Sequence, residues 1–107
     1  MDTECVMVWT TVASPADGER LASILVEERL AACVNMLGDM QSFYRWKGAV
    51  EMGRERQLII KTTAARVPEL KARLGELHEY DLPELIVLPM GGGSDAYLNW
   101  IRESTAG

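Results

Sequence analysis

The chain has 107 residues, 48% hydrophobic and 25% charged, the profile of one globular domain spanning 1–107 that buries somewhat over half of its extended surface. Sixteen acidic residues against 11 basic leave a formal charge of −5, and the densest basic pairs, Arg45 with Lys47 and Arg54 with Arg56, are too sparse to neutralise a run of phosphates, which excludes nucleic acid as a partner. No apolar run approaches the ~20 residues of a membrane helix, so membrane insertion is excluded as well.

The start, Met1-Asp2-Thr3-Glu4, is acidic and has neither the basic n-region nor the apolar h-region of a signal peptide, so a cytoplasmic location is expected. Cys5 to Val12 is a nearly continuous apolar, β-branched run that reads as a strand central in its sheet. Ser14-Pro15-Ala16-Asp17 opens a helix, with Ser14 as cap, Pro15 at the first helical position, and Asp17 and Glu19 near the positive end of the dipole. Leu21, Ile24 and Leu25 form its inward stripe and Arg29 falls in its last turn. Ala31 to Leu37 reads as a second strand, interrupted by the turn-like Gly38-Asp39. The chain resumes at Ser42, reverses near Lys47-Gly48 and returns from Val50 to Thr63. A second helix runs from about Arg66 to Leu77 on the stripe Val67, Leu70, Leu74 and Leu77, and Pro68 forbids a much earlier start. Leu85 to Leu88 is a short strand, and Ser94 caps a final helix carrying Tyr97, Leu98, Trp100 and Ile101.

The order β-α-β-β-α-β-α is that of an α+β, ferredoxin-like split βαβ with a C-terminal helix. Residues 32 to 63 form one long hairpin whose arms of about 14 residues reach roughly 45 Å at 3.3 Å per residue. A domain of this size has a radius of gyration of about 13 Å, so the hairpin must project even if Gly38 bends it. A projecting two-stranded ribbon is marginal without a neighbour, and an oligomer is expected on that ground.

Chemistry-bearing residues are few. Cys5 and Cys33 form no C-x-x-C unit and read as core thiols. His78, the single histidine, is the metal candidate, because an imidazole suits copper, zinc or nickel; its other reading is a hydrogen-bonded residue at a helix end. Glu51 and Glu55 stand about 13 Å apart on one strand face, too far for a shared proton or one metal ion, and read as ion-pair partners for Arg45, Lys47 or Lys61. Tyr44, Trp46, Tyr80 and Trp100 exceed what a small core needs; Trp46 beside the hairpin tip is expected against another subunit, or as a lid on its own sheet. Lys61, Tyr80 and Glu84 bring an amine, a phenol and a carboxylate, a possible acid–base set. Met90-Gly91-Gly92-Gly93-Ser94-Asp95 lacks the lysine of a P-loop and reads as a connection ending in a helix cap.

Taken in order, Leu30-Ala31-Ala32-Cys33-Val34-Asn35, Tyr44-Arg45-Trp46-Lys47-Gly48, Glu51 with Glu55, Ile59-Ile60-Lys61-Thr62, His78-Glu79-Tyr80, Pro83-Glu84 and Tyr97-Leu98-x-Trp100 resemble the CutA family, small trimeric proteins associated with tolerance to divalent cations. The resemblance implies three ferredoxin-like subunits joined edge to edge through the long hairpin, an architecture that looks like the PII signalling proteins. The same resemblance implies that Lys61, Tyr80 and Glu84 line a cleft between subunits. It implies no enzyme and no organic cofactor, with copper or another divalent metal ion as the weakly bound ligand. A signalling or scaffolding trimer with a small effector or protein partner in its subunit clefts is the alternative. This chain departs from the family in having Glu79 where His-Pro-Tyr is usual. It also has Thr10 and Leu77-His78 where copper ligation is proposed through a Cys and paired His.

Overall fold

In the computed structural model, which describes residues 4–107, alternation along β1 (Cys5–Val12) sorts its side chains onto two faces of a sheet. Met1, Asp2 and Thr3 of the acidic start lie outside the described residues. Val6, Val8 and Val12 point to one face, where α1 (Pro15–Glu27) covers them with Leu21 and Leu25, and α2 (Val67–Leu77) with Leu70 and Leu74. Between these helices lie β2 (Cys33–Trp46), β3 (Ala49–Thr63) and a 3-10 turn (Ala64–Arg66); β4 (Ile86–Pro89) and α3 (Asp95–Ser104) follow. The four strands pair in the order β2-β3-β1-β4, antiparallel throughout, which is the expected ferredoxin-like arrangement. The expected last strand, 85 to 88, is shifted by one residue.

The opposite face is covered at one end only. There Ile101 of α3 packs on Cys5 and Ala32, with Leu98 and Met90 beside them. Met7 and Trp9, on the same face of β1, remain half-buried, so the apolar run of β1 is covered fully on one side and partly on the other.

Capping follows the sequence except at one helix end. Ser14 accepts from the Asp17 backbone N–H and opens α1, and Ser94 does the same for α3 through the Tyr97 N–H. Arg29, expected in the last turn of α1, lies beyond it. The helix ends at Glu27, Arg29 sits at φ 61°, the Leu30 N–H bonds back to the Leu25 carbonyl, and the Arg29 N–H to that of Val26. This is a Schellman closure whose left-handed position, usually a glycine, is an arginine.

The hairpin is continuous rather than interrupted at Gly38-Asp39. Pairing slips between Leu37 and Met40, where two residues of β2 oppose one of β3, a β-bulge. At the tip Lys47 and Gly48 both have positive φ, 49° and 82°, the two-residue turn whose twist matches that of the strands. The molecule measures 44 × 25 × 23 Å, its radius of gyration is 14.4 Å, and the distal ribbon projects from the core. Phe43 is 70% exposed and Val50 68%, with Met52, Tyr44 and Trp46 also exposed.

Replacing Arg29 by glycine removes the steric cost of the left-handed position, roughly 1–2 kcal/mol, and adds unfolded-chain freedom of about half that. Arg29→Gly is therefore expected to stabilise the fold by about 0.5–1 kcal/mol, read as a higher urea midpoint at unchanged slope. A lower midpoint would show that the Arg29 side chain contributes more than its backbone costs.

Candidate functional site

The β-bulge decides which residues meet at the site. Strict alternation from Val34 and Met36, which face the helices beside Ile60 and Leu58, would carry Tyr44 and Trp46 to that same face. The extra residue at Gly38-Asp39 reverses the parity. Met40, Ser42, Tyr44 and Trp46 thus share the open face with Gly53, Glu55 and Gln57 of β3. Opposite them the segment between α2 and β4, residues 79 to 85, forms a wall. An open groove of about 940 Å³ lies between, lined by Tyr44, Trp46, Glu55, Tyr80 and Glu84 among others.

Two hydrogen bonds span it. The Tyr80 hydroxyl donates to Glu55 Oε2 at 2.7 Å, and Gln57 Nε2 donates to Glu84 Oε2 at 2.9 Å while also bonding the Thr10 carbonyl at 2.9 Å. Burial of the phenol, then the hydrogen bond and negative charge of Glu55, hold Tyr80 well above the ordinary tyrosine range. Gln57 carried no signal in the sequence beyond its place two residues from Glu55 on a strand, and its role was not anticipated.

Behind the wall, His78 uses both ring nitrogens. Nε2 lies 2.7 Å from the Thr11 carbonyl and Nδ1 lies 3.1 Å from the Tyr80 backbone nitrogen. A carbonyl can only accept and an amide N–H can only donate, so the imidazole is neutral, with its proton on Nε2. Its ring lies against that of Tyr80, with centroids 4.8 Å apart. Ligating a metal through His78 requires surrendering one of these two bonds. Among the described residues no three His, Cys, Asp or Glu side chains gather into a group that could hold a metal ion.

Other candidates stand apart from the groove. Lys61 faces Met7 of β1 and lies against α3, with Nζ 3.3 Å from the Tyr97 hydroxyl and 5.6 Å from that ring's centroid. Lys61, Tyr80 and Glu84 therefore do not form one set. Trp100 packs on Tyr97, with ring centroids 5.4 Å apart. Glu51 sits opposite Tyr44 near the exposed tip. Within the chain, Glu55 takes the Tyr80 hydroxyl as its partner, where an ion pair with Arg45, Lys47 or Lys61 was expected.

The sequence matches the family model described as CutA1 divalent ion tolerance protein over residues 6–104. It is 46% identical over 99 residues to the divalent-cation tolerance protein CutA of Thermus thermophilus, covering 92% of this chain and 96% of that protein. Identity to the chloroplastic protein CutA of Arabidopsis thaliana is 44% over 94% of this chain, which spans 55% of that relative's length. Among solved structures, CutA of Xylella fastidiosa superposes with a TM-score of 0.93 at 39% identity, covering 96% of this chain and 99% of that one. The periplasmic divalent cation tolerance protein CutA of Archaeoglobus fulgidus gives 0.92 at 31%, over 95% and 99%.

Because Tyr80 holds its proton longer than a free tyrosine, an ultraviolet titration should show phenolate absorbance still rising above the ordinary tyrosine range. Above about pH 10 the unfolded chain has shed a proton that folded Tyr80 retains, so stability falls as pH rises there. Glu55→Gln removes the negative charge and should bring the late transition down. A wild-type titration complete within the ordinary tyrosine range would contradict the Tyr80–Glu55 bond.

Proposed function

The chain belongs to the CutA1 divalent ion tolerance family, and from that premise we propose that it acts as a non-catalytic homotrimer in the cytosol, binding copper or other divalent metal ions weakly in clefts between its subunits. The observation that carries the assembly is the bare distal ribbon, whose Phe43, Val50 and Met52 stand exposed among the described residues. Contiguous exposed apolar surface of this kind marks an interface, and closed cyclic symmetry covers it once per subunit. The metal reading is supported by the acidic balance of the chain and by Glu55 and Glu84 in the groove. Both are hard oxygen donors, each with lone pairs beyond those used by Tyr80 and Gln57. A single chain gathers too few of them, so a neighbouring subunit must supply further ligands.

One observation favours a second reading, a PII-like signalling or scaffolding trimer that takes a small effector or protein partner in the same clefts. His78, the softest nitrogen donor available, is already committed twice to its own chain. Thermal shifts across nucleotides and small carboxylates test it, and a flat response removes the effector.

Light scattering should give about 36 kDa, three times the 11.9 kDa of the chain, and a monomer mass would overturn the assembly. Copper, zinc and nickel calorimetry then decides the ligand. Saturable binding that survives His78→Ala but is lost on Glu55→Gln with Glu84→Gln places the ion in the groove. Loss in His78→Ala, with the trimer intact, makes His78 a ligand. No saturable binding of any of the three ions sinks the metal reading.

A further inference from the structure

We propose that the groove takes an aliphatic polyamine, with its ammonium groups on Glu55 and Glu84 and its carbon chain along the rings of Tyr44, Trp46 and Tyr80. Size is the first ground. The groove holds about 940 Å³, near the top of the range for organic-ligand sites, whereas one water molecule takes a share of roughly 30 Å³. A single metal ion with its shell leaves most of that space unfilled. Donor placement agrees. Glu55 rises from β3, and Glu84 is held from the facing wall by Gln57, two strand positions further along, so the two carboxylates are staggered by roughly 7 Å. That stagger is wide for one ion and suits two amines joined by a short alkyl chain. Among the described residues no three His, Cys, Asp or Glu side chains close round a metal ion. Each carboxylate makes its bond through Oε2, and an ionised carboxylate accepts at both oxygens, so capacity for an ammonium remains.

The surface between the carboxylates is aromatic. Tyr44 lies over Gly53, its hydroxyl 3.5 Å from where a side chain there would begin, and it comes within electrostatic reach of Tyr80. The bond to Glu55 fixes the Tyr80 phenol in turn. Ring faces attract alkylammonium groups through their quadrupole and cover methylenes at the same time. Trp46 shows this attraction within the chain, for Lys47 Nζ stands 6.0 Å from its ring centroid, at the limit of such contacts. Charge decides the sign of the ligand. Glu79 and Asp81 on the wall join Glu55 and Glu84, against Arg45 and Arg54. Arg45 springs from the face of β2 opposite to that of Tyr44 and Trp46, and Arg54 is paired with Asp39 at 3.4 Å. An anionic effector meets net negative charge here. A polyamine, protonated at neutral pH as lysine is, meets its complement.

This ligand class rests on the groove being the working site, so the test has an arm for each. Spermidine is titrated into the intact oligomer by calorimetry in about 0.15 M salt, beside copper, zinc and nickel. Saturable spermidine binding is expected, weakened about tenfold by each of Glu55→Gln and Glu84→Gln and about fivefold by Trp46→Leu, with the oligomer mass unchanged. The wild type supplies a readout that needs no variant. Ring currents in the groove should shift the spermidine methylene resonances upfield, which a diffuse acidic surface does not do. No saturable spermidine binding overturns the polyamine. If the metal ions still bind, and are lost on Glu55→Gln with Glu84→Gln, the groove stands as the working site without it. If neither ligand binds, both readings fall. Spermidine affinity unchanged in all three variants, or methylene resonances unshifted at saturation, also overturns the proposal.

Discussion

The structure depends on a ribbon that outgrows its own core. At 14 and 15 residues, β2 and β3 are far longer than the eight-residue β1 they flank, and the helices cover only the part that pairs near it. Where Leu58 and Ile60 lie under α1 and α2 the strands are held by packing. Beyond the bulge they are held by ladder hydrogen bonds and cross-strand contacts, with the Tyr80–Glu55 bond as a tie to the rest of the chain. A two-stranded ribbon so placed has little stability in water, and its Phe43, Val50 and Met52 stand exposed among the described residues. Subunit association is the physical remedy, and it would place the groove beside a neighbour rather than in open solvent.

The same ribbon makes the site. One inserted residue at Gly38-Asp39 turns Tyr44 and Trp46 from the helix-facing side to the open side. There they meet Glu55 and the wall carrying Tyr80 and Glu84. The bulge costs one ladder pairing and places the aromatic residues beside the carboxylates. The wall is tied down by few contacts. Tyr80 reaches Glu55, Glu84 reaches Gln57, and His78 joins the base of the segment to β1. Surface ion pairs, such as Arg73 with Glu28 and Glu76, add little by comparison.

Apolar periodicity, caps and turn chemistry determined the elements from the sequence alone, because these act within a few residues. Ser14, Ser94, Lys47-Gly48 and the Leu70–Leu74 stripe each appear in the structure where the pattern placed them. Arg29 did not, because a Schellman closure with a non-glycine residue has no local signature. The length of the hairpin was legible as well, since it is simple arithmetic on residue rise. The candidate set was legible as a set: five of its members, Tyr44, Trp46, Glu55, Tyr80 and Glu84, share one groove. What only the tertiary structure decided was which residues meet. A one-residue bulge inverts a face without changing composition. Gln57 gains its partners from β1 and from the segment before β4, and His78 spends its nitrogens on Thr11, 67 positions away, and on its own turn. Lys61 is carried off to α3. Contacts of this range depend on register and crossover rather than on neighbours in the chain, and so no local reading of the sequence contains them.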